Sequence, residues 1–170
     1  MLKILVKAVL EDIPDVEGVG AARLKDKVQK LLARLTVAMP KEATAWRLYG
    51  ELLLQESGQT EIVRGVQCYQ RALAAATSVK GWERTEEKCL EVVRLSGDLM
   101  EAVGKVEPGA QHLQLSSSIR LSVASASKVL QQGQTNIKTG EISENIQTHL
   151  EPLLSSLASL TDRIAKLREG

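Results

Sequence analysis

Apolar residues recur along most of this chain at intervals of three and four, the spacing that gathers them on one side of a helix. Over residues 21–39 the series is Leu24, Val28, Leu31, Leu32, Leu35 and Met39, and Pro40 ends it. Over 44–57 it is Trp46, Tyr49, Leu53 and Leu54, with Gly58 as the stop. Thr60 is placed to cap a further helix carrying Ile62, Val66, Tyr69, Ala72, Leu73 and Ala76. After the Val79-Lys80-Gly81 break, Thr85 to Val103 presents Cys89, Val92, Val93, Ser96, Leu99, Met100 and Val103. Glu107-Pro108-Gly109 punctuates again, and a helix over 111–131 uses Leu115, Ile119, Ser122, Ala126 and Val129. Ahead of all these, 2–10 reads as a short apolar helix and 11–20 as a loop. No segment alternates apolar and polar residues between turns, so no strand is expected.

The final segment differs. Residues 131–140 lack periodicity and read as a flexible joint. Ile146, Leu150, Leu153, Leu157, Leu160, Ile164 and Leu167 then step alternately by four and three, a heptad seam. Pro152 lies inside it and removes a backbone donor, so a kink, or a restart with Pro at the first helical position, is expected there.

Composition supports an all-α chain. It is 44% hydrophobic but contains no Phe and only four aromatic residues, Trp46, Trp82, Tyr49 and Tyr69. A sheet of this size would lean on aromatic and β-branched residues. The net charge of +1 announces neither nucleic acid nor an anionic membrane. No run approaches the roughly 20 apolar residues of a membrane span, and the opening residues make a poor signal peptide. Cys68 and Cys89 fall within helical patterns and read as small buried residues of a reducing, cytoplasmic setting.

Internal periodicity decides the architecture. Trp46-x2-Tyr49-Gly50-x2-Leu53 matches the first helix of a tetratricopeptide repeat, with Leu and Tyr exchanged between their usual places. The second helix follows as Gly65-x3-Tyr69-x2-Ala72-Leu73, and Pro40 stands where the preceding repeat should close. A mid-helix glycine costs about 1 kcal/mol relative to alanine, so Gly50 and Gly65 need a packing reason. Close approach of the two helices supplies one, with Trp46 and Tyr69 filling the groove between this hairpin and its neighbour. The repeat is degenerate: its inter-helix connection is long, Thr77 replaces the closing Pro, and Val28 stands at the usual small position.

The stretches at 2–18, 24–36, 43–53, 81–103 and 115–130 resemble the C-terminal region of the tetratricopeptide repeat protein 27 family. Trp-Arg-Leu-Tyr at 46–49, Trp-Glu at 82–83 and Ile-Arg-Leu-Ser at 119–122 carry the resemblance. It covers about residues 1–131; the heptad segment lies outside it. The expected fold is therefore a right-handed α-solenoid of antiparallel helix hairpins over 1–109, closed by a capping hairpin over 110–170, as one piece of a longer superhelix. The resemblance implies a non-enzymatic scaffold that assists assembly of protein or ribonucleoprotein complexes, the spliceosomal U5 particle included, beside chaperones in cytoplasm and nucleus. The partners expected are protein helices or peptides in the solenoid groove, with no membrane and no small-molecule substrate. These residues by themselves are not expected to form the Lys/Asn clamp by which some such domains hold a chaperone's C-terminal carboxylate, because their only asparagines, Asn136 and Asn145, lie beyond the repeat region.

Catalytic chemistry finds no foothold. There are two histidines, His112 and His149, and the cysteines lack a CxxC partner, so neither a metal site nor a cofactor is expected. Gly18-Val19-Gly20 does not continue as a dinucleotide motif, since position 23 is Arg. Ser116-Ser117-Ser118 reads as a helix end, and Glu83, Glu86, Glu87 and Glu91 as a solvated face. One charge pattern is a candidate partner surface: Arg23, Lys27, Lys30 and Arg34 share a helical stripe. It suits an acidic peptide or RNA phosphates, although the outer face of an amphipathic helix is the commoner meaning of such a stripe. Two functional alternatives remain, an RNA-binding helical repeat using that stripe and a self-associating coiled coil over 141–168. Scarcity of aromatics for base stacking counts against the first.

Overall fold

The computed structural model describes residues 19–82, 85–107, 121, 123–124, 126–132, 135 and 144–169, and these hold helices and no strand. We name the helices α1 (Val19–Ala38), α2 (Ala43–Leu54), α3 (Gln59–Thr77), α4 (Glu86–Gly104) and α5 (Glu144–Glu169). A further helical segment occupies described residues between 121 and 132. The expected helix at 2–10, the start of the helix at 111, and most of the joint at 131–140 lie outside the described residues. Within that joint, 131, 132 and 135 are helical. Val19 and Gly20, expected in the loop, open α1.

Each helix from α1 to α4 packs chiefly on its sequence neighbour, and α5 packs on α4. The α2–α3 contact is antiparallel, because its partners run in opposite order along the two helices. Trp46 lies against Arg71, Gly50 against Tyr69, and Leu54 against Gly65. One continuous apolar cluster threads the helices, from Val28 and Leu32 through Leu53, Leu73, Val92 and Leu99 to Leu130 and Leu150.

Several boundaries differ from the sequence reading for physical reasons. α2 ends at Leu54 because the Gln55 and Glu56 amides turn to carbonyls three residues back, Leu52 and Leu53. Thr60 is not a cap: the Gly58 carbonyl already accepts from Ile62 at 3.0 Å, which places Thr60 inside the first turn of α3. α1 buries Val28, Leu32 and Thr36, a four-residue step that leaves Leu31 48% exposed. Met39, also expected on that face, lies beyond the helix end and is exposed. Thr36 is tolerated inside because its hydroxyl donates to the Ala33 carbonyl at 2.9 Å. Pro152 lies within α5, with helix on both sides, so no restart occurs there. Leu150 is fully buried, and Leu153 and Leu154 lean on the core. The side chains of the other heptad positions, Ile146, Leu157, Leu160, Ile164 and Leu167, lie outside the described residues.

Candidate functional site

The residues of the expected repeat signature from Trp46 to Ala72 come together in the α2–α3 hairpin. Gly50 and Gly65 face each other closely enough that a Cβ on Gly50 would sit 3.2 Å from the Gly65 carbonyl oxygen, and one on Gly65 would sit 3.3 Å from that of Gly50. Tyr69 lies on Gly50, and Ala72 and Leu53 are fully buried beside it. Trp46 is buried, its indole N–H donates to the Pro40 carbonyl at 2.9 Å, and the Arg71 guanidinium covers its ring at 4.7 Å. Pro40 thus fixes the entry to the hairpin through its carbonyl. The Tyr49 hydroxyl accepts from Arg64 at 2.8 Å, a second tie between the two helices.

The basic stripe behaves as a solvent face. Arg23, Lys27, Lys30 and Arg34 are all exposed, opposite the side of α1 that carries Val28, Leu32 and Thr36. Lys30 is already bonded to Asp26 at 2.7 Å, while Lys25, on the flank of the stripe, reaches Glu56 at 2.8 Å and ties α1 to the end of α2. Glu87 and Glu91 are exposed on α4; the side chains of Glu83 and Glu86, together with Ser116–Ser118 and His112, lie outside the described residues.

A more structured feature was missed by sequence. α2 and α4 flank a groove with a cavity of about 300 Å³, lined by Arg47, Glu51 and Leu54 of α2 with Gln55 just past its end, and by Asp98 and Glu101 of α4 with Lys105 just past its end. Tyr69 of α3 lines it as well. Two ion pairs sit on the walls, Arg47–Glu51 at 3.8 Å and Lys105–Glu101 at 3.1 Å. Both join neighbours on one helix surface, a class worth about 0.3–0.5 kcal/mol. Asp98 has no such partner: it makes no hydrogen bond or ion pair among the described residues. Burial raises its carboxyl above the usual range. Arg47 and Arg94 oppose that shift, whereas Glu51 and Glu101 reinforce it. The Tyr69 hydroxyl is raised as well, first by burial and then by Asp98 and Glu51. It too lacks a hydrogen bond among the described residues, although the side chain is only 5% exposed.

The groove could have been suspected from Arg47, Glu51 and Gln55, which follow one another at four-residue steps along α2 and its C-terminal cap. That spacing alone reads as an ordinary wet face. It becomes a site only when α4 brings Asp98, Glu101 and Lys105 opposite.

A second cavity, of about 380 Å³, lies among Gln70, Leu73, Ala74 and Thr77 of α3, Trp82, and Lys128, Val129 and Gln132 of the 121–132 segment. Cys68 and Cys89 are unlinked and buried, and burial pushes the Cys68 thiol up to about 11 despite Arg71 and Arg64 nearby. Among the described residues no group of three or more His, Cys, Asp and Glu side chains could hold a metal ion. None of the described helices is long and apolar enough to cross a membrane. No family model matches the chain, and no solved structure matches it.

Proposed function

We propose that this chain is a protein-interaction scaffold, part of a tetratricopeptide-like α-solenoid that holds a segment of another protein in the groove between α2 and α4. The observation that carries the reading is the pairing of a rigid hairpin with an unsatisfied groove. Gly50 and Gly65 let α2 and α3 meet backbone to backbone. The next helix packs on that hairpin and leaves two polar residues without a hydrogen bond among the described residues, Asp98 and Tyr69, lining a cavity. In stacked helix hairpins such surfaces present themselves to extended or helical partner segments. The family resemblance adds the kind of work expected, assembly of protein or ribonucleoprotein complexes, as part of the tetratricopeptide repeat protein 27 type of superhelix.

Site-specific photocrosslinking tests this in cells. A benzophenone amino acid at Gln55, on the groove wall, should capture one protein identifiable by mass spectrometry. The same group at Gln67, exposed on α3 and away from the groove lining, should not. Equal capture at both positions, or none at Gln55, would remove the groove as the partner site.

A further inference from the structure

The groove carries more information than its existence, because its polar groups are unequally satisfied. Its walls hold three carboxylates, Glu51, Asp98 and Glu101, against two cations, Arg47 and Lys105. Each cation is already paired with the glutamate four residues away. The excess negative charge therefore rests on Asp98, a half-buried carboxylate with no donor among the described residues. Tyr69, more than nine-tenths buried and lining the same cavity, carries a hydroxyl in the same condition, near enough to Asp98 to feel its charge. A buried polar group without a partner is destabilising, the more so when charged, so an occupant that satisfied both would bind with that advantage.

We propose that the α2–α4 groove takes an arginine side chain of the partner segment, whose guanidinium donates to the Asp98 carboxylate over the Tyr69 hydroxyl. This rests on the reading of the groove as the partner site and specifies its chemistry. Charge complementarity selects a cation, since an acidic or neutral side chain would leave Asp98 as it is. Shape selects arginine over lysine. The guanidinium is a planar fork with several donors, loses less hydration than an ammonium, and can serve a carboxylate and a neighbouring hydroxyl together. The cavity accommodates one long side chain. The wall ion pairs are weak enough for Glu51 or Glu101 to turn toward the incoming charge as well. A carboxylate-gripping role would need the opposite arrangement, with free cations lining the groove.

The test uses three pentapeptides, acetyl-Gly-Ser-Xaa-Ser-Gly-amide with Arg, Lys or Glu at Xaa, titrated to millimolar concentration against the isotopically labelled full chain and followed by amide chemical shifts. The Arg peptide should shift signals of Glu51, Tyr69, Asp98 and Glu101, and the Glu peptide should leave them in place. Asp98→Asn should weaken binding at least about tenfold, the factor that corresponds to 1.4 kcal/mol. Arg47→Ala, which removes a competing cation from the exposed wall, should strengthen it; this variant keeps the test open if Asp98→Asn folds poorly. Absence of groove shifts with the Arg peptide, an equal response to the Glu peptide, or unchanged affinity in Asp98→Asn would each overturn the proposal, and equal binding of the Lys peptide would overturn the choice of arginine. If Gln55 crosslinks a partner while the Arg peptide is ignored, the groove stands as the partner site and only the arginine assignment falls.

Discussion

Alanine at Gly50 isolates the contact on which the hairpin depends. Two effects oppose each other. In a helix interior Ala is favoured over Gly by about 1 kcal/mol. Against this, the new methyl would lie 3.1 Å from two atoms of the Tyr69 ring and 3.2 Å from the Gly65 carbonyl oxygen. Neither neighbour yields cheaply: the ring is buried, and the oxygen belongs to the backbone of α3. Overpacking of this kind costs roughly 1–3 kcal/mol, so the net expectation is a loss of about 1 kcal/mol. Gly104→Ala provides the calibration, because a Cβ there meets nothing within 4 Å. Because Gly104 is the last residue of α4, alanine there should stabilise the chain by less than the interior value of about 1 kcal/mol, leaving the two variants roughly 1–2 kcal/mol apart for the same chemical change. Urea unfolding followed by fluorescence of Trp46 and Trp82 reads both, as midpoint shifts at unchanged slope. Gly65→Ala meets the Leu54 side chain at 2.9 Å as well as the Gly50 carbonyl. Since the first methyl already parts the helices, the double variant should lose less than the sum of the singles. If Gly50→Ala were as stable as the parent, or shifted like Gly104→Ala, the backbone contact would not be what holds the hairpin.

Trp46→Ala should cost about 3–5 kcal/mol in the same titration, as expected for removing a buried aromatic; a loss below about 1 kcal/mol would mean that the ring is not packed against the hairpin. The Cys68 thiol, pushed up to about 11 by burial, should resist iodoacetamide in folded protein at mildly alkaline pH and react on unfolding; rapid alkylation of native protein, located at Cys68 by peptide mapping, would contradict that burial. Because folding raises the Asp98 carboxyl, its contribution to stability is present below the ordinary carboxylate range and is lost as pH rises through the raised value. Asp98→Asn should therefore be more stable than the parent at neutral pH, with the gap closing in acid; a gap independent of pH would exclude Asp98 as its source.

The parts legible in sequence were those with a local cost. Glycine in the middle of a helix demands a reason, so Gly50 and Gly65 could be paired before any coordinates, and Pro40 could be assigned to the mouth of the hairpin by its offset from Trp46. Where the cost is shared between distant elements, sequence was silent. Gly97 illustrates this: a Cβ there would meet Leu153 of α5 at 3.0 Å, yet Ser96-Gly97 reads as an unremarkable step within an amphipathic helix. Leu31 shows the opposite failure, because a series of threes and fours admits two adjacent faces and only packing chooses between them. The groove was hidden for a third reason. Its walls are ordinary charged stripes, and what distinguishes Asp98 from the exposed Glu87 and Glu91 is that it is half-buried and still lacks a partner, a property of three helices together.

The same absence separates what stabilises this protein from what would let it bind. The hairpin core is held by the close contact of Gly50 with Gly65 and Tyr69 and by Trp46 on Pro40 and Arg71, none of which needs an occupant in the groove. Asp98 works against that stability while the groove is empty, since its charge is half-buried without a donor. Retaining such a group makes physical sense where a ligand supplies what the fold withholds. One substitution then has opposite consequences in two assays: Asp98→Asn should raise the unfolding midpoint of the free chain and lower its affinity for a cationic side chain. A residue kept only for solubility would move neither in this way. A structural aspartate satisfied within the fold would lower the midpoint when replaced, so the sign of that first measurement already discriminates before any partner is in hand.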